Sequence, residues 1–202
     1  MTLHRHRSIV VGVLCGTLVL TIAPVSAQYG SSPNDKPATT EKSTKSEPAD
    51  SGDATILSKL VTADQHEVKV ARTAEKKKMS PAALNYARML RDQHQQNLSD
   101  TQKLAHKLHL SPRQTSETEE MRKKGATELA QLQPMDGPEF EKAFIDAMVK
   151  GHEEVLSMLD DGIASSKNDE VKAHLQKTRE AVATHLSEAK QLQGGAATST
   201  GR

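Results

Sequence analysis

The sequence predicts an all-α protein: a ferritin-like four-helix bundle with one long crossover, which carries a short extra helix between helices two and three. Three observations predict it. Aromatic residues make up 2 % of the chain and Trp is absent, which disfavours sandwiches and barrels, whose strands lean on Tyr, Phe and Trp. Ala, Leu, Lys, Glu and Gln are abundant, and all are good helix formers. Four segments repeat apolar residues with the helical period, each about 25 residues long, or roughly 38 Å at 1.5 Å per residue.

The first helix is expected over residues 53–78, with Leu57, Leu60, Val61, Val68 and Ala71 on one face. Lys76-Lys77-Lys78 closes it, where cations suit the helix dipole, as a solvated end. The second opens at Ser80-Pro81, a capping residue followed by the proline suited to a first helical position. It carries Leu84, Ala87, Leu90, Leu98, Ala105 and Leu108 and ends near Leu110. The third follows Asp136-Gly137-Pro138, with Phe140, Phe144, Met148, Val155 and Leu159 as its stripe. The fourth starts after Asn168, uses Val171, Leu175, Val182, Leu186 and Ala189, and stops at Gly194-Gly195. Short links make helices one and two, and helices three and four, antiparallel pairs. Between helices two and three lie roughly 27 residues, in which Ser116-x-x-Glu119 reads as a capping box opening a short helix. A link that long travels the length of the bundle and leaves helices two and three parallel.

The segments outside the bundle read differently. A basic start (His4-Arg5-His6-Arg7), an uncharged apolar run and Ser26-Ala27 form the three parts of a secretory signal peptide over 1–27. The apolar run is short for a membrane span, which needs roughly 20 residues; retention as an anchor is the alternative to cleavage after Ala27. Residues 28–52 and 194–202 have almost nothing to bury and are expected to be a disordered linker and tail, leaving 53–193 as the folded domain. The chain carries 27 basic and 26 acidic residues. Loss of the leader takes Arg5 and Arg7 and no acid, for a net charge of −1. That balance disfavours nucleic acid as a partner. Cys15, the only cysteine, leaves with the leader, so disulfides and thiolate metal sites are excluded from the exported chain.

Polar residues interrupt the apolar stripes. Placed at 100° per residue, Asp64 and Glu67 fall on the buried face of helix one, His94 on that of helix two, His152 on that of helix three and His185 on that of helix four. Asp92 and His66 point outward to solvent. Glu67, His94 and His152 lie near their helix midpoints, with His185 about five residues off level, roughly 7 Å along the axis. One ligand-type residue per helix, facing one interior, is how bundles build metal sites. Three imidazoles and a carboxylate suit zinc, iron, copper or manganese, with Asp64, Asn97 and Glu188 as supporting partners. The competing reading is a metal-free polar network in which a protonated histidine balances Glu67. His152-Glu153-x-x-Leu156 and His66-Glu67-x-x-Val70 begin like a zinc-protease helix but lack its second histidine.

Several segments resemble a bacterial family of exported proteins known as domain of unknown function 4142, placed among the ferritin-like folds. They are Ala63-Asp64-Gln65-His66-Glu67-Val68, Tyr86-Ala87-Arg88-Met89-Leu90-Arg91-Asp92-Gln93-His94, Phe144-Ile145-Asp146-Ala147-Met148-Val149-Lys150-Gly151-His152 and His185-Leu186-x-x-Ala189. Gln93 stands where the family carries Asp. The resemblance implies the fold, export and the importance of the four positions; it implies no reaction. Diiron ferritin-like enzymes use paired Glu-x-x-His motifs, and this chain has none. The expectation is therefore an exported bundle that is not an enzyme and that binds one transition metal through Glu67, His94, His152 and His185. The alternatives are a metal-free structural or interaction module with an envelope protein partner, and a ferritin-like redox enzyme. No small-molecule substrate is identifiable. Ile145 and Val149, outside the main stripe, mark a face for helix pairing in a homo-oligomer.

Overall fold

A computed structural model describes residues 51–199 of the chain. The signal peptide and all but the last two residues of the expected linker lie outside the described residues, as do 200–202. Five helices follow in order: α1 (Ser51–Ala74), α2 (Pro81–Lys107), α3 (Ser116–Leu132), α4 (Gly137–Ser165) and α5 (Asp169–Ser199).

Local chemistry sets the helix ends. Ser80 caps α2, its hydroxyl accepting from Ala83 N–H, with Pro81 at the first helical position. The end of α2 is a Schellman turn: Leu110 N–H bonds Ala105 C=O (2.8 Å) and His109 N–H bonds His106 C=O (3.2 Å). His109 takes the left-handed φ of 55° that such a turn needs, which folds Leu110 back into the core. Asn168 caps α5, its side-chain oxygen accepting from Glu170 and Val171 N–H.

The direction of each rod follows from contacts between ends. At the lower end Glu141 of α4 accepts from both the backbone N–H and the hydroxyl of Ser80 (2.6 and 2.7 Å). So α2 and α4 start side by side. At the upper end Asp53 of α1 accepts from Lys167 and Asn168 N–H in the α4–α5 turn, and Arg113 N–H bonds the Ser58 hydroxyl. The rods α2 and α4 therefore both run upward, as the long link predicts. The crossover helix α3 returns alongside α1, with Lys59 paired to Glu117 and His66 to Glu128.

Two glycines set close approaches. A Cβ on Gly162 of α4 would lie 2.6 Å from Ile56 Cγ1, and one on Gly125 of α3 would lie 2.6 Å from the His66 ring. The core comes in two parts. A lower cluster holds Val70, Tyr86, Leu90, Phe140, Phe144 and Met148 among others. An upper one holds Leu57, Leu60, Ala105, Leu159, Leu175 and Val182 among others. Fully burying each large side chain contributes about 1.5–3 kcal/mol.

The structure corrects several expectations. The α1 helix ends at Ala74, and the lysines form the following turn. Lys77 is not a solvated end: its ammonium donates to Gln133 and Met135 carbonyls, satisfying the end of α3, and sits over the Phe140 ring. The capping box of α3 is one residue earlier, between Thr115 and Thr118, because the two threonines serve each other's backbone N–H. The α5 helix passes through Gly194-Gly195 to Ser199; two glycines weaken a helix by about 1 kcal/mol each but remove no backbone hydrogen bond. On α2 the buried face is Ala83, Tyr86, Ala87, Leu90, His94, Thr101 and Ala105, while Leu84, Leu98 and Leu108 flank it half-buried. Ile145 is no pairing face, since it is buried in the lower cluster beside Leu132 of the crossover helix, with Val149 packed against it.

Candidate metal centre

Between the two apolar clusters lies a polar layer. His94 is the central residue of α2, and His152 and His185 lie one past the centres of α4 and α5. The expected offset of His185 is not found: its ring stands level with the other two. All three imidazoles are buried, at 5 %, 0 % and 2 % exposure. Ring centroids lie 5.9 Å apart for His94–His152, 5.1 Å for His94–His185 and 5.3 Å for His152–His185. One nitrogen of each falls within 4.8 Å of the other two.

Hydrogen bonding fixes which nitrogen points inward. His94 Nδ1 lies 2.9 Å from Asp64 Oδ1, His152 Nδ1 lies 2.7 Å from Met148 C=O, and His185 Nε2 lies 2.8 Å from Gln93 Oε1. All three partners are acceptors, so each ring donates its N–H there. The opposite nitrogens, His94 Nε2, His152 Nε2 and His185 Nδ1, are left as lone pairs, buried without a hydrogen-bond partner. Glu67 Oε2 is a fourth such atom. Its carboxylate is 5 % exposed and acts on the charge balance of both His94 and His152, but it does not join the three nitrogens in the tight group. Glu67 Oε1 instead lies where Gly151 leaves room, 3.5 Å from the site a Cβ would take there.

A hydrogen-bonded chain braces the layer. Asn97 donates to Asp64 Oδ2 (2.9 Å), and Thr178 donates to Asn97 Oδ1 (2.9 Å). Thr101 donates to Asn97 C=O and stands 2.8 Å from His174 Nε2. The phenol of Tyr86 donates to His185 C=O (3.0 Å), pinning α5 at that position. The sequence marks Asp64 and Asn97 in advance; it misses Gln93, Thr101, Thr178 and Tyr86 as braces. A signal existed for two of them, since Thr101 lies seven after His94 and Thr178 seven before His185, two turns along the same face. Glu188 is half-buried; its charge is felt at the Tyr86 phenol, which burial above all, and then Glu67 and Glu188, push up. Asp92 is exposed as expected. His66 is only partly solvated: the crossover helix packs over it, and its ring bonds Glu128 at 3.0 Å.

Electrostatics separates the three imidazoles. Burial pulls His94 down, but the Asp64 hydrogen bond and the charges of Glu67 and Asp64 outweigh it, so this ring is raised. Burial raises Asp64 against the pull of His94 and Asn97. Both directions say that the Asp64–His94 pair keeps a proton more firmly than its separate groups. Burial lowers His152 against the charge of Glu67, with His94 adding to the drop, and burial, then the other two imidazoles, push His185 down to about 3. Those two rings stand neutral, the state in which imidazole binds a metal.

Two openings flank the layer. A small one of about 180 Å³ between α2 and α5 reaches His94 and His185 beside Gln93, Asn97, Lys177 and Thr178. A larger groove of about 500 Å³ between α1, α3 and α4 reaches Glu67.

Fold and site together define a helical-bundle domain with a histidine-lined polar centre. The chain matches the family described as Domain of unknown function (DUF4142) over residues 38–192 and belongs to that family. Two crystal structures are similar. One is a DUF305 protein from Streptomyces coelicolor, described as a candidate secreted protein, at 13 % identity and a TM-score of 0.65, covering 74 % of this chain and 96 % of that one. The other is a DUF305 fragment from Deinococcus radiodurans at 12 % identity and a TM-score of 0.65, covering 73 % and 99 %. At these identities the likeness is one of fold. No curated protein matches the chain. Among the described residues no helix is long and apolar enough to cross a membrane.

Proposed function

We propose that this protein is an exported metal-binding module that holds one divalent transition metal ion in its polar layer. The observation that supports this reading is the set of four buried acceptor atoms with no donor: His94 Nε2, His152 Nε2, His185 Nδ1 and Glu67 Oε2. A lone pair buried without a partner costs free energy, and one cation held among the four would satisfy them together. Nitrogens that share a four-coordinate ion at 2.0–2.1 Å lie roughly 3.3 Å apart, so small side-chain rotations from the present spacing suffice. The Asp64–His94 hydrogen bond supplies the carboxylate–histidine support common at such sites. Two carboxyl groups, Asp64 and Glu67, stand in the layer beside the rings, so release of the Asp64–His94 proton on binding would leave carboxylates to balance a divalent ion. Imidazole and carboxylate donors suit zinc, iron, copper or manganese. Export rests on the leader over 1–27, and the structurally similar Streptomyces protein, described as a candidate secreted protein, is in keeping with it.

Metal analysis of the untagged mature chain tests the reading. Wild type is expected to carry close to one equivalent and a His94→Ala/His152→Ala variant almost none. Equal, sub-stoichiometric metal in both rejects it. A second reading is favoured by one observation, the buried Asp64–His94 hydrogen bond, which strengthens that ring's hold on a proton: the layer is then a metal-free polar network, and the same variant loses stability without any change in metal content.

A further inference from the structure

We infer that the groove between α1, α3 and α4 is the route by which the ion reaches the polar layer, with Glu67 as the first protein ligand it meets. The inference rests on the metal-binding reading and adds a direction to it. Of the two openings, only this one ends on an unsatisfied charge. Glu67 lines the groove, is 95 % buried, and keeps Oε2 without a partner. Glu67 thus faces the groove and acts electrostatically on His94 and His152.

The mouth is acidic. Glu117, Glu120, Glu128 and Glu154 surround it, against Lys59 and Lys124. Lys59 pairs with Glu117, Lys124 with Glu154 and His66 with Glu128. Glu120 is exposed and has no ion-pair partner among the described residues. A cleft of net negative charge concentrates cations and raises their association rate. The opening between α2 and α5 carries no such excess, because Lys177 there is matched by Asp100. It reaches His94 and His185 beside groups already bonded to one another: Gln93 to His185, and Asn97 to both Asp64 and Thr178. An ion entering there meets no unpartnered carboxylate, whereas the groove leads to Glu67.

Stopped-flow uptake of zinc ion by the metal-stripped mature chain tests the route. Ala63→Phe narrows the groove, Ala181→Phe narrows the other opening, and Glu120→Lys reverses one exposed charge without touching the core. Ala63→Phe is expected to slow uptake roughly tenfold or more with little change in equilibrium affinity. Glu120→Lys is expected to slow it several-fold at low salt, the effect fading as salt rises. Ala181→Phe is expected to load like wild type. Wild-type rates in both Glu120→Lys and Ala63→Phe, or slowing by Ala181→Phe alone, overturn the route while leaving the site. If Ala63→Phe does not fold, the salt dependence of Glu120→Lys decides. A wild-type chain that takes up no zinc overturns the metal-binding reading and the route together.

Discussion

His152 and His185 are the residues most changed by the fold. Both are held neutral, chiefly by burial, whereas in the unfolded chain they titrate near 6.5. The folded state therefore binds fewer protons than the unfolded one once the pH falls below about 6.5. Their contribution is complete above that value and is lost progressively toward the His185 value of about 3. Each ring contributes a slope of up to about 1.4 kcal/mol per pH unit. The raised Asp64–His94 pair works with the opposite sign, its contribution fading as pH rises through the pair's folded values. Urea midpoints of the metal-free chain are expected to fall from pH 7 to pH 5, and a His152→Asn/His185→Asn variant to lose most of that dependence. An unchanged dependence in the variant removes these rings from the account. The three histidines were legible because each sits three or four residues from an apolar neighbour on a 3.6-residue repeat. Glu67 was legible as buried, but not as facing a groove. Its second neighbour is α3, and no helical period in α1 says where a separate short helix will dock.

At the level of the helices, small residues decide how closely the rods approach. Gly162 lets α4 meet Ile56 of α1 and Leu175 of α5. Gly162→Ala gains about 1 kcal/mol of helix propensity but drives a methyl into Ile56 Cγ1, which is not a free chain end. A net loss of about 1–3 kcal/mol is expected from urea denaturation. Combined with Ile56→Ala, the two losses are expected to add to less than their sum, since the second change removes the obstacle. Additivity would show that the clash is relieved elsewhere. The α3 helix was predicted and its cap was misplaced by one residue, because Thr115-x-x-Thr118 and Ser116-x-x-Glu119 offer the same spacing. Only the packed structure, in which the Thr115 and Thr118 hydroxyls exchange bonds with each other's N–H, separates them. The fate of His66 has the same origin: a residue on the outer face of α1 is solvated only if nothing docks there, and Gly125 is what lets α3 do so.

For the molecule as a whole, the parallel course of α2 and α4 followed from the length of the link alone, since a short link would have forced them antiparallel. The layer of imidazoles separates two apolar clusters, so the interior depends on what occupies its middle. If an ion binds the folded chain alone, stability rises by mass action, by about 2.7 kcal/mol at a free concentration one hundred times the Kd. Zinc titration followed by urea midpoints is expected to show that rise in wild type and none in His94→Ala/His152→Ala. A rise of equal size in both would place the ion elsewhere. The same layer serves as an alignment key. Apolar contacts are tolerant of sliding, and four rods greased with Leu, Val and Ala alone have several vertical settings of similar energy. Displacing any one rod by a single turn, 5.4 Å, would carry an imidazole or a carboxylate into hydrocarbon and strip it of Asp64, Gln93 or the Asn97 chain. The polar waist therefore rules out the slipped assemblies and leaves one stagger.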